Sequence, residues 1–76
     1  MIYQKYITID KRIMAGKPII KGTRIPVDLI VRKFAKTMDI DDLLKDYPRL
    51  TKEAVQAAIW YAGEVVGSEE IYPLSP

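Results

Sequence analysis

The sequence predicts a mainly α protein with a three-helix, helix-turn-helix core of the homeodomain-like kind. A short N-terminal β-hairpin arm precedes this core, an extended tail follows it, and all 76 residues fall in one domain. Two observations carry the prediction. Three successive stretches repeat apolar residues at i, i+3, i+4, the spacing that puts them on one side of a helix. The second and third of these are separated only by Tyr47 to Leu50, and a turn of three or four residues between helices at a steep angle marks the helix-turn-helix. The arm is placed at residues 1–26, the core at 27–66 and the tail at 67–76.

In the arm, Tyr6 to Ile9 alternates Thr8 with Ile7 and Ile9, all strand formers, and reads as a strand ending at Asp10. Ile13 and Met14 are expected to fold back onto it before an Ala15-Gly16-Lys17 loop. Gly22 stands between Ile19-Ile20 and Thr23-Arg24-Ile25, so a hairpin with Lys21-Gly22 at its tip follows, because glycine takes positive φ freely. Lys17, Lys21 and Arg24 ride on this hairpin. It is either a wing for nucleic acid or a surface hairpin with solvated cations. Gly16 and Lys21-Gly22-Thr23 do not form a phosphate loop, whose Gly-Lys-Ser/Thr order is different.

Pro26 suits the first position of a helix, where its missing N–H costs nothing. The first helix is expected over Val27 to Thr37. Val27, Ile30, Val31, Phe34, Ala35 and Met38 form its stripe, and Arg32, Lys33 and Lys36 lie opposite. Asp39 is a good cap for the second, Ile40 to Asp46, which turns Ile40, Leu43, Leu44 and Tyr47 to one side before Pro48 stops it. Thr51 can cap the third, Lys52 to Val66, with Leu50 stapled on Val55. Its stripe is Val55, Ala58, Ile59, Ala62, Val65 and Val66, and Gly67 is placed to end it in the left-handed conformation. The tail carries Ile71, Tyr72 and Leu74 among polar residues and two prolines, so it is expected to be extended and to dock on something.

Composition removes whole classes of chemistry. Without cysteine or histidine there is no disulfide, thiol nucleophile, imidazole base or zinc cluster. Asp39, Asp41, Asp42 and Asp46 read as capping and solvated acids rather than metal ligands. No spacing among the remaining polar residues specifies a reaction, so neither a catalytic residue nor a cofactor is expected. No signal peptide and no apolar run long enough for a bilayer is present, which makes cytoplasmic location and no membrane partner the expectation.

The net charge of +2 hides a split. Residues 1–36 hold nine Lys or Arg against two acids, a balance of +7, whereas residues 37–76 hold three against eight, a balance of −5. A basic end suits an anionic partner, most often nucleic acid. In a helix-turn-helix the N-terminal turns of the second motif helix meet base edges, which points to Arg49, Thr51, Lys52 and Gln56 on double-stranded DNA. The attraction for phosphates would come from Lys17, Lys21 and Arg24 on the hairpin and from Arg32, Lys33 and Lys36 on the first helix. Trp60 falls between Gln56 and Glu64 on the polar side of the third helix, with Tyr61 at the stripe's edge. A cover is expected for it, so Trp60, Tyr61, Ile71, Tyr72 and Leu74 are candidates for a dimer or partner interface.

The stretch YITIDKRIMAGKPIIKGTRIPVDLIVRKFA, followed by DIDDLLKDYPRLTKEAVQAAIWYAGE, resembles the domain of unknown function 433 family. These small prokaryotic proteins are described as helix-turn-helix antitoxins of the VapB type. The resemblance covers about Tyr6 to Glu64, and its most specific parts are Gly16-Lys17-Pro18, Lys21 to Val27, and Tyr47-Pro48 with Leu50-Thr51. A departure is Thr37-Met38-Asp39, where a glycine would be expected before the cap. The resemblance implies a trihelical domain with a β-rich arm, and often a neighbouring gene for a PIN-like nuclease. The expectation is therefore a homodimeric antitoxin that binds its own operator and neutralises a PIN-like nuclease toxin. The rivals are a protein-interaction module that ignores DNA, and a small ligand-binding or enzymatic subunit.

Overall fold

The computed structural model describes residues 3–67. Their order is a 3-10 turn (Tyr3–Lys5), strand β1 (Ile7–Ile9), a tight turn (Met14–Gly16), strand β2 (Pro18–Ile20), and helices α1 (Val27–Thr37), α2 (Ile40–Asp46) and α3 (Lys52–Gly67). The protein is a three-helix helix-turn-helix core with a two-stranded antiparallel arm.

The strand that folds back onto β1 is Pro18–Ile20, pairing Ile7 with Ile20, Thr8 with Ile19 and Ile9 with Pro18, and not Ile13-Met14. The reason lies at Asp10. Its carboxylate accepts the Arg12 N–H at 2.9 Å and its carbonyl accepts the Ile13 N–H at 2.9 Å, so the chain turns immediately after β1. Met14, Ala15 and Gly16 then hold positive φ of 52°, 56° and 84°, which completes the reversal. Proline is tolerated at the start of β2 because a first strand residue need not donate.

The Lys21-Gly22 tip forms as expected. The Thr23 N–H donates to the Ile20 carbonyl at 3.0 Å, with Gly22 at φ +77° where such a turn requires it. Beyond it no full strand forms, only a single bridge between Ile19 and Pro26. Pro26 has no N–H to give, and the Ile25 N–H is taken by the Thr23 hydroxyl at 3.0 Å.

Pro26 itself is extended (φ −70°, ψ 147°) and stands one position before the helix rather than inside it. The expected stripe of α1 is also too long. Val27 and Ile30 are buried and Val31 and Phe34 half-buried, but Ala35 is exposed and Met38 is 72% exposed. The helix ends at Thr37, and Met38 adopts the left-handed conformation (φ 54°), which directs the chain away from the α1 axis.

Both later caps form where expected. Asp39 accepts from the N–H groups of Asp41 (3.0 Å) and Asp42 (3.3 Å), and Thr51 Oγ1 accepts from Ala54 N–H at 3.1 Å. Between them the Leu50 N–H returns to the Tyr47 carbonyl at 2.9 Å, keeping the turn tight. α3 runs through Gly67, which does not take positive φ, so the left-handed cap expected there does not form. Its buried residues are Ala54, Val55, Ala57 and Ala58, while Val65 and Val66 are exposed. The first half of the helix carries its buried residues, and its last turns, more exposed, line a groove beside α1 and β2.

Ile7, Ile20, Val27, Ile30, Leu43, Leu50 and Val55 close the core around the alanines of α3. Small side chains there let α1 approach α3 closely, and dense packing of this kind rather than any polar contact holds so small a fold. Tyr3 meets Tyr61 edge to face, ring centroids 5.2 Å apart, which pins the start of the arm to α3. Among the described residues no helix is long and apolar enough to cross a membrane.

Candidate nucleic-acid interface

Burial of Ala54, Val55, Ala57 and Ala58 fixes the rotation of α3, and with it the residues that face water. Lys52, Gln56 and Trp60 recur every fourth position and form one exposed line, with Glu53 beside it. Lys52, Gln56 and Trp60 line a groove of about 430 Å³ with Ile40 and Ile59. Lys52 Nζ is 3.9 Å from Asp41 Oδ1 across exposed side chains, a weak pair that leaves the ammonium available. Thr51 is exposed at the start of this line, with its hydroxyl engaged in the cap.

A second groove, about 470 Å³, lies between the arm and the α2–α3 turn and brings Arg24 to the same surface as Arg49, with Thr8, Gly22 and Thr23. Lys21 precedes Gly22 at the tip of the arm. Among the described residues Lys21, Arg24 and Arg49 have no ion-pair partner, so their charge is directed at solvent.

Lys17 lies elsewhere. Its Nζ is 3.4 Å from Asp28 Oδ2, which also receives Arg32 Nη2 at 2.8 Å. Burial pushes the Asp28 carboxyl up, but the charges and hydrogen bonds of Lys17 and Arg32 outweigh this and hold it below the ordinary carboxylate range. This cluster rims a third, apolar groove of about 510 Å³ that includes Val31, Tyr61, Val65 and Val66. The seven residues assigned to DNA therefore divide. Arg24 and Arg49 line one groove, Lys52 and Gln56 line another, and Lys17 stands apart beside α1.

The interface residues divide too. Trp60, 44% exposed, and Tyr61 line different grooves, while Ile71, Tyr72 and Leu74 lie outside the described residues. Sequence reasoning missed Thr8 in the basic groove and the exposed Val65-Val66 end of α3. The Asp28-Arg32 pair could have been found, since i, i+4 acid-base spacing is its signal; nothing in the sequence announces the pair between Lys17 and Asp28.

Arm, tight turn and exposed α3 line define a small helix-turn-helix domain with a β arm. The chain belongs to the family described as "Protein of unknown function (DUF433)", whose profile matches residues 7–62. Among its relatives, an "Uncharacterized protein" of Archaeoglobus fulgidus is 62% identical over 26 residues, covering 34% of this chain and 72% of that one. "Uncharacterized protein y4eO" of Sinorhizobium fredii is 29% identical over 59 residues, 78% of this chain but 27% of the relative, so this chain spans about a quarter of that protein's length. No solved structure matches the chain.

Proposed function

We propose that the protein binds double-stranded DNA through the N-terminal half of α3, as the antitoxin and autorepressor of a toxin–antitoxin pair in the cytoplasm. The observation that carries this reading is the exposed line of Lys52 and Gln56 directly after a capped, four-residue turn. A helix entering the major groove presents just such residues, Gln pairing with adenine and Lys with guanine. Arg24, Arg49 and Lys21, which have no ion-pair partner among the described residues, supply the attraction that α3 lacks. The antitoxin role and its PIN-like nuclease partner rest on the family resemblance. Titration of the duplex upstream of the protein's own gene over about 50–200 mM salt tests the reading, because phosphate contacts make affinity fall steeply with salt. Absence of binding at low salt overturns it.

A second reading, a module that binds protein or a second copy of itself, is favoured by Trp60, Val65 and Val66, which are 44%, 44% and 56% exposed. Val65 and Val66 share one groove with Val31 and Tyr61 whereas Trp60 lines another, and it is the gathered apolar surface of the first that marks an interaction site. Sedimentation velocity of the wild-type chain tests self-association directly.

A further inference from the structure

We infer that the groove between the arm and the α2–α3 turn is a phosphate site, in which Arg24 and Arg49 grip one phosphate group together. This deepens the DNA reading by assigning the contact that fixes the arm on the duplex backbone, and rests on it only for the source of the phosphate.

Arg24 and Arg49, from distant parts of the chain, line this groove, and among the described residues no acid does. Like charges brought together without a counter-ion repel, so such a surface favours a bound anion. The residues of this groove also carry uncommitted donors. Among the described residues the backbone N–H groups of Gly22, Arg24 and Arg49 donate to nothing, and the Thr8 hydroxyl has no partner. The Thr23 hydroxyl, by contrast, already donates to the Ile20 carbonyl at 2.7 Å and accepts from Ile25 N–H, so it stiffens the turn rather than binding. At Gly22 a Cβ would meet nothing within 4 Å, so the backbone at this turn can be approached closely from outside. Arginine forks match phosphate oxygens two at a time, and turn N–H groups add directed donors, which together form an anion-binding concavity. A grip on the phosphate backbone alone carries affinity and register without sequence preference.

The test uses the full chain, labelled with nitrogen-15, and inorganic phosphate as the first probe, added against chloride at constant ionic strength. The amide signals of Gly22, Arg24 and Arg49 and the two arginine side-chain Nε–H signals should shift together and saturate. Arg24→Gln with Arg49→Gln should abolish the shift, while Lys36→Gln with Lys45→Gln, an equal loss of charge at exposed positions of α1 and α2, should not. The second probe is duplex DNA. Each single arginine variant should weaken operator and scrambled duplex alike, by about tenfold or more, since hydrogen bonds to charged groups are the strong ones. The double variant should lose little beyond either single one, and its log–log salt slope should drop by about 0.9, the value for one phosphate.

Operator binding with an unchanged salt slope in the double variant overturns the inference and leaves the DNA reading standing. Saturable phosphate shifts in a protein that binds no duplex uphold the site, assign it to a free phosphorylated compound, and remove the DNA reading. Shifts produced by an acidic peptide but not by phosphate overturn the inference.

Discussion

The Met38 N–H donates to the Phe34 carbonyl at 2.7 Å while Met38 itself holds φ +54°, so a methionine occupies the left-handed position that ends α1. A side chain there costs roughly 1–2 kcal/mol, which glycine avoids. Met38 is 72% exposed and loses little packing on removal. Met38→Gly should therefore raise stability by about 1 kcal/mol in urea denaturation, allowing for the larger entropy of glycine in the unfolded chain. Met38→Ala should give no such gain. Equal stability of the two variants would mean that backbone strain at this cap is not what limits it.

Thr51 holds the α2–α3 turn to the start of α3 through a single hydroxyl, 3.1 Å from the Ala54 N–H. Thr51→Ala should cost about 0.5–2 kcal/mol and Thr51→Ser much less, because only the hydroxyl acts as the cap. A matching loss for both variants in thermal unfolding would place the effect on the methyl group instead.

Ile30 has no exposure, whereas Ile9 is 57% exposed at the far end of β1. Ile30→Val should destabilise by about 0.5–1.5 kcal/mol, and Ile9→Val should stay within about 0.5 kcal/mol of wild type. Chemical denaturation of the pair tests which of two similar isoleucines the core uses.

All three helices could be read from residue pattern because their starts and stops are local chemistry: Asp39 and Thr51 as caps, Pro48 as a stop, and apolar spacing between. What was not legible depended on partners distant in sequence. That Pro18–Ile20 rather than Ile13-Met14 pairs with β1 follows from the turn at Asp10 and the positive φ at Met14 and Ala15, residues with no local preference for it. Ala54 and Ala57 fall outside the stripe expected for α3, yet they are buried in the core, while Val65 and Val66, inside that stripe, are exposed. The candidate site was legible residue by residue but not as a geometry. Neither Arg24 nor Arg49 signals that a groove joins them, and Lys17 gives no sign that Asp28 holds it on another side.

The Asp28 carboxyl lies below its ordinary value of 3.8 in the folded protein. Its folded form thus binds fewer protons than the unfolded chain. The stabilisation is complete above the unfolded value and disappears as pH falls through the folded one, a window below about pH 4. Because the side chain is 47% exposed, solvent screening keeps the effect under about 1 kcal/mol. Asp28→Asn should lower stability slightly at pH 7 and reduce its loss between about pH 4 and 2. An acid limb identical to wild type would show that the Lys17-Asp28-Arg32 cluster adds nothing to folding.

The central claim, that α3 reads DNA through Lys52 and Gln56, is tested most directly by the ratio of affinities for the protein's own operator and a scrambled duplex of equal length. Fluorescence anisotropy at fixed salt should give a wild-type ratio of roughly 10³ or more. Gln56→Ala should reduce the operator affinity alone, by about 1–3 kcal/mol, and leave the scrambled duplex unchanged. A wild-type ratio near one, or a Gln56→Ala variant that keeps the full ratio, contradicts the account.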